Sequence, residues 1–326
     1  MRGCVPGIAV RRSEPHLPAL MNSNDSRLPE ALSPPVLVTS GGALRRVGIE
    51  FEFLGPSARG AAGAIARDLG GSIEAEDPNA FRIRNTRLGD LAVETDLRYL
   101  HPERHPGLGI RLGAGAARWL GAALSPVVPR ELITGPMPIA RLPEVDEIVG
   151  VLRGAGARGH GTVLWDSLSL HFNIDPPSLD AATLTAFLKA FLLTGDRIRQ
   201  EVSQGKWWLA HVLPQDYPPA YRQLVLDPDY WPDLKTLADD YLAANPTRRR
   251  ALDLLPLLAH LDEERVRAVL SHEKIGPRPV FHYRLALSHV SDPRWSILPD
   301  WERWLIVERL ASDHERLGAA GRMAAG

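Results

Sequence analysis

Arg46-Val47-Gly48-Ile49-Glu50-Phe51-Glu52-Phe53-Leu54 is a short apolar run that carries two carboxylates two residues apart. In an extended strand alternate side chains share a face, so Glu50 and Glu52 point one way while Val47, Ile49, Phe51 and Phe53 point the other. One face builds a core and the other presents paired anions. Carboxylates held side by side raise each other's pKa, so a protein that keeps both ionised supplies a cation between them. A hard cation such as Mg²⁺ is the natural candidate. The same alternation also describes a half-solvated strand with its polar face in water, and the rest of the chain has to separate the two.

The chain has 326 residues, within the size of one large-sheet domain with helical additions. Its 38 basic and 39 acidic residues give no reason to expect nucleic acid or an anionic membrane as the main partner. No stretch reaches the roughly 18 apolar residues of a transmembrane helix. Cys4 is the lone cysteine, which rules out an internal disulfide or a cysteine-based metal site and fits a cytoplasmic protein. Arg11-Arg12 is followed by Ser-Glu-Pro-His rather than an apolar segment, so no export signal is expected there. Residues 1–40 are aperiodic and rich in Pro, Ser and Asn, and read as a disordered extension before a domain spanning 41–326, with Met21 as an alternative start.

Several further strands repeat the pattern of the first. After a helix expected from about Ser57 to Leu69, ended by Gly70-Gly71, come Phe81–Arg84 and Leu91–Asp96, joined as a hairpin. Glu94 and Asp96 share a face. The loop around His101 and His105 leads to a Gly/Ala helix near 113–124, and Pro129–Pro136 adds a short run with one carboxylate, Glu131. A helix at about 143–152 precedes Gly154, Gly156 and Gly159; these follow a helix rather than a strand, so the dinucleotide pattern they match is rejected. In 163–175, Leu168, Leu170, Phe172 and Ile174 alternate with Ser169, His171, Asn173 and Asp175. A long core helix spans about 178–202. Helices are expected at about 231–243, 246–260, 262–270 and 299–317, with one strand, 280–287, placing His282 and Arg284 on its polar side. Trp207-Trp208, Trp301 and Trp304 read as helix packing.

The expected class is α+β: a largely antiparallel sheet with one functional face, backed by helices, plus a mainly helical C-terminal third. Acids flanked by His, Asn and Arg suit Mg²⁺ completed by nucleotide phosphates. Asn245 and Pro246 read as the cap and first residue of a helix, which puts Arg248, Arg249 and Arg250 at its positive end. Cations there need compensation, either from Asp239, Asp240 or Asp253, or from a bound phosphate or carboxylate.

Gly48–Phe53, Pro129–Pro136, His171-Phe172-Asn173, Asn245-Pro246-Thr247-Arg248 and His282-Tyr283-Arg284 together resemble, in order and spacing, the putative amidoligase family, over about residues 44–317. That family is similar in fold to the carboxylate–amine ligases typified by glutamine synthetase and glutamate–cysteine ligase. The resemblance implies an ATP- and Mg²⁺-dependent union of a carboxylate and an amine. It assigns Glu50, Glu52 and Glu131 to metal, His171 and Asn173 to the nucleotide, and Arg284 to catalysis. His282 stands where relatives often carry Glu.

Such chemistry needs cations on the phosphate oxygens and acids on the metal. Arg248 with Arg284 is therefore expected to meet the transferring charge, Arg250 the nucleotide, and Glu94 or Asp96 the incoming ammonium. The substrates, small molecules or peptides, are left open, as is the oligomeric state. An inert binding protein that keeps the fold and a phosphagen-kinase-like phosphotransferase are the competing readings.

Overall fold

The computed structural model describes residues 28–95, 128–159, 168–206 and 213–325. The expectations for Cys4, Met21, Asp96, His101, His105, the helix at 113–124 and Trp207-Trp208 lie outside these residues. Among the described residues, one open sheet of nine strands has the order β2-β3-β4-β5-β1-β7-β9-β8, with β6 pairing the start of β1. The strands are β1 (Arg46–Phe53), β2 (Ser72–Asp77), β3 (Ala80–Thr86), β4 (Gly89–Thr95), β5 (Arg130–Thr134), β6 (Met137–Pro138), β7 (Leu170–Ile174), β8 (Leu252–Asp253) and β9 (Phe281–Tyr283). Every pairing between them is antiparallel. The architecture is thus the expected mixed one.

β1 lies inside the sheet, flanked by β5 and β7. Its alternation is realised: Val47, Ile49, Phe51 and Phe53 are fully buried, while Glu50 and Glu52 stay partly accessible on the opposite face. Each buried side chain of this size contributes about 1.5–3 kcal/mol relative to leaving it exposed, so the strand's orientation is strongly fixed. α1 (Ala58–Leu69) packs on β3 and β4, and the Ser57 hydroxyl caps it by accepting from Gly60 N at 3.1 Å. The helix ends at Gly70-Gly71. Gly71 has φ 98°, and an added Cβ would lie 2.4 Å from Arg84 O, so this turn requires glycine. α2 (Val145–Gly154) precedes the rejected glycine motif as expected.

Behind β7 and β9 lie α3 (Ala181–Ser203) and α8 (Leu298–Ala311). Phe187 stacks on Phe281 at 4.7 Å, and Trp301 and Trp304, both fully buried, pack against Phe172 and Tyr283. Residues 28–40, assigned above to an extension, lie on this layer: Leu28 and Leu32 are buried, and Leu32 O accepts from Trp301 Nε1 at 2.8 Å. The remaining helices are α4 (Pro219–Leu226), α5 (Leu234–Ala244), α6 (Leu255–Leu261), α7 (Glu263–Val269) and α9 (His314–Ala325). No described helix is long and apolar enough to cross a membrane.

Two local expectations are corrected, and one strand appears where none was assigned. Asn245 does not open a helix; it closes α5, donating its N–H to Tyr241 O at 2.8 Å. Residues 247–251 form a loop, and Leu252 and Asp253 pair with Tyr283 and His282 before α6 starts with Pro256 in its first turn. A sheet ladder that only the tertiary fold supplies has overridden the Asn-Pro signal, and the helix-dipole argument for Arg248–Arg250 falls with it. The strand 280–287 is regular only over Phe281–Tyr283. Phe172 pairs with Tyr283 and Ser169 with Leu287, so three residues face four and the register slips by one. Finally, Ser72–Asp77 forms a short edge strand with neither face buried, Ile73 included; its Glu74 and Glu76 pair with Arg84 and Arg82 of β3.

Candidate functional site

Strand register sets three rows of polar groups across the accessible face. Glu94 pairs with Glu131, and Glu131 with Glu52, giving a line of carboxylates from β4 through β5 to β1. One step along, Glu50 pairs with His171, whose strand neighbour on the far side is the β9 continuation carrying Arg284. In the third row Asn173 pairs with His282, and His282 with Asp253. The acids, histidines and Arg284 singled out from separate stretches of sequence thus meet on one surface.

Glu50 is the most connected of them. Oε1 accepts from Asn173 Nδ2 at 2.8 Å and lies 3.2 Å from Arg278 Nη1; Oε2 is 3.4 Å from His171 Nδ1 and 3.9 Å from His282 Nε2. Burial alone would push this carboxyl up, but the hydrogen bond with His171 and the facing His282 and Arg278 outweigh it and hold it well below the usual carboxylate range. His171 is buried, which pushes its imidazole down to about 4 against the pull of Glu50. It is therefore neutral at pH 7 and keeps one ring nitrogen available as a donor of electrons. The His171 and His282 rings meet edge to face at 5.2 Å. Glu52 is anchored differently, with Oε2 accepting from Ser169 N at 2.7 Å.

Two adjoining clefts of about 430 and 320 Å³ open over these rows and share Glu52, Ser169, His171, Arg249 and Arg284. Their size suits a nucleotide or a substrate of similar bulk. The larger is lined by Glu50, Glu52, Glu131 and Glu273 against Arg248, Arg249, Arg278 and Arg284. The strand acids form its floor, and most of the arginines reach it from the loops at 247–249 and 276–280. Arg284 donates through Nη1 to Arg248 O, and burial lowers its pKa from the ordinary value.

Not every expected residue arrives here. Arg250 turns away, donating to Asp216 O and covering the Tyr217 ring at 5.6 Å, so it braces the segment around 215–217 rather than a nucleotide. The acids considered as its partners are used elsewhere: Asp239 pairs with Arg265, Asp240 accepts from Tyr230, and Asp253 faces His282. Among the described residues, the ligand atoms that cluster most closely are those of Glu50, His171 and His282, within 4.8 Å of one another; Glu52 and Glu131 stand outside this group. Arg278, Arg249, Glu273 and Asp253 are lining or supporting residues that the sequence reading did not assign to the site. Arg278 sits between two prolines in a loop with no period, and nothing local indicates that it reaches Glu50.

The family described as "Putative amidoligase enzyme" matches residues 43–306, most of the chain and every element that builds these rows. The chain belongs to this amidoligase family. Comparison with curated proteins and with solved structures gave no match. Membership makes the protein one of a family of ligases, and the match covers Glu50, Glu52, Glu94, Glu131, His171, Asn173, Arg248, His282 and Arg284 together.

Proposed function

We propose that this amidoligase joins a carboxylate to an amine at the expense of ATP, on a fold of the glutamine synthetase type. The observation that carries this reading is the division of the larger cleft into an acidic floor and an arginine-bearing rim. An acidic floor suits a metal ion and an ammonium group; an arginine rim suits phosphate oxygens and a substrate carboxylate. The substrate is a small molecule or a peptide bearing these groups.

The residues fit Mg²⁺ by donor type: Glu52 and Glu131 are paired across β1 and β5, and Glu94 extends the same all-oxygen row. When bound there, Mg²⁺ would screen the phosphate charge. Arg284 and Arg248 face the cleft where negative charge shifts as the γ-phosphoryl group passes to a carboxylate oxygen, with ADP leaving. The amine nitrogen then attacks the acyl carbon, phosphate departs and the amine loses a proton. Glu94 and its neighbours favour the ammonium on arrival and can accept that proton. The partial cover of the cleft makes each of these charges worth more than at an open surface.

The test is hydroxylamine trapping. ATP, Mg²⁺ and a panel of amino acids and peptides are supplied with hydroxylamine, and carboxylate-dependent ADP release with matching hydroxamate is expected. A stable phosphorylated acceptor without hydroxamate would replace the ligase by a phosphotransferase, and nucleotide binding without turnover across the panel would replace it by an inert binding protein.

A further inference from the structure

The donor atoms of Glu50, His171 and His282 lie within 4.8 Å of one another, in a chain where each residue comes from a different strand. Two imidazoles and one carboxylate form a nitrogen-rich set. That chemistry differs from the all-oxygen row of Glu52, Glu131 and Glu94 beside it, because imidazole nitrogen prefers first-row transition-metal dications whereas Mg²⁺ prefers oxygen and water.

Two further observations point to a ligand here. Both ring nitrogens of His282 are buried without a hydrogen-bond partner, as is Asn173 Oδ1. Leaving such groups unmet is unfavourable, so a cluster of them calls for an occupant. Behind His282 stands Asp253, fully buried, with Oδ1 fixed by Leu255 N at 3.0 Å and Oδ2, itself without a hydrogen-bond partner, 3.7 Å from His282 Nδ1. A carboxylate placed on the rear nitrogen directs the other nitrogen, Nε2, toward Glu50. This is the arrangement by which a second carboxylate orients a metal-binding histidine. Asn173 likewise holds Glu50 through Oε1, leaving Oε2 toward the two rings.

We infer that Glu50, His171 and His282 form a centre selective for a first-row transition-metal dication of the Zn²⁺ class over Mg²⁺, with His282 as the selecting residue and Asp253 as its positioning residue. The open side of the set faces the cleft, so a bound ion keeps positions for water or substrate. The inference stands on the donor set and is tested without nucleotide, so it survives or fails separately from the ligase reading.

The experiment measures binding of Zn²⁺ alone and Mg²⁺ alone to the full chain after chelator treatment, by competition with a fluorescent chelator and by calorimetry. One Zn²⁺ per chain is expected, bound at least about 100-fold more tightly than Mg²⁺. Asp253→Asn should weaken Zn²⁺ about 10- to 100-fold while Mg²⁺ affinity stays within about twofold. His282→Glu should narrow the Zn²⁺/Mg²⁺ ratio at least about tenfold, and Co²⁺ loaded into the wild type should lose its visible absorption pattern in that variant. Circular dichroism identifies any variant that fails to fold; the wild-type ratio decides on its own. Equal affinities for the two ions in the wild type, or an unchanged ratio in folded His282→Glu, would overturn the assignment.

Discussion

Arg278 Nη1 lies 3.2 Å from Glu50 Oε1, joining a loop near the end of the chain to the middle of the central strand across 228 positions of sequence. The arginine is 39% exposed and Glu50 is only 13% exposed, so the contact is a partly screened one. Its worth to folding is therefore small, about 1 kcal/mol or less. Its worth to a bound anion is larger, because the same guanidinium lines the cleft. Arg278→Ala should leave the thermal midpoint within about 2 °C and lower hydroxamate yield about tenfold or more, with Arg278→Lys restoring part of it. A lowered midpoint with full yield would make the contact purely structural.

A buried pair elsewhere behaves in the opposite way. Arg45 and Glu308 are both fully buried and doubly bonded, Nη1 to Oε2 at 2.9 Å and Nη2 to Oε1 at 2.6 Å, and Trp304 Nε1 adds a third bond to Oε1 at 2.8 Å. Removing one partner strands a charge in the core. Glu308→Gln or Arg45→Met should each cost about 3–5 kcal/mol in denaturant unfolding, whereas Arg45→Met with Glu308→Leu together should cost less than the sum. Additive losses would mean that the two residues do not act as a pair.

Residues 28–40 offer a third measurement. A chain starting at Leu28 and one starting at Gly41 differ by the burial of Leu28 and Leu32 and by the bonds from Trp301 to Leu32 O and from the buried Arg45 to Val36 O. The shorter chain should be less stable by roughly 4–7 kcal/mol, from two apolar side chains and these two hydrogen bonds. Equal urea midpoints would show that this packing contributes nothing.

How much of this was legible can be judged from particular residues. The alternation through Glu50 and Glu52 located the central strand and its faces, because period-2 patterning is local and survives any topology. His171, Asn173 and Arg284 were placed on the polar face for the same reason. Arg278 and Asp253 were not assigned to the site, since what makes them part of it is a contact across the sheet or the chain. Leu252-Asp253 was read as helix because its strand character comes wholly from β9. Arg250 looked equivalent to Arg248 in sequence; the pairing of Gln215 with Arg250, a contact across the chain, is what turns it away from the cleft and over Tyr217.

Asp300 predicts a pH effect on stability. Burial pushes its carboxyl up to about 6, although the charge and hydrogen bond of Arg303 pull the other way. Its folded pKa exceeds the unfolded value near 3.9, so between about pH 4 and 6 the folded state binds more protons and stability falls as pH rises. The full effect is on the order of 2–3 kcal/mol. Other acids titrate in the same range, so the readout is the difference between wild type and Asp300→Asn in urea unfolding. The variant should gain relative to wild type between pH 4.5 and 7. A difference that stays flat over that range would show that Asp300 ionises as an ordinary exposed acid.

The last comparison separates two arginines that the sequence treats alike. Arg284 faces both clefts, whereas Arg250 is buried over Tyr217 and bonded to Asp216 O. Arg250→Ala should therefore act on folding: loss of the cation–π contact and the buried hydrogen bond should cost about 2–3 kcal/mol, with turnover per folded molecule unchanged. Arg284→Ala should act on chemistry. If its guanidinium meets charge that develops during phosphoryl transfer, hydroxamate formation should fall about 100-fold or more while ATP affinity changes only a few-fold. Arg284→Lys should recover a fraction of the rate, since a point charge cannot reproduce the planar fork. Should Arg284→Ala weaken ATP binding and trapping by the same factor, the residue would be holding the ground-state nucleotide, and the transferring phosphoryl group would have to be met by Arg248, Arg249 or Arg278 instead.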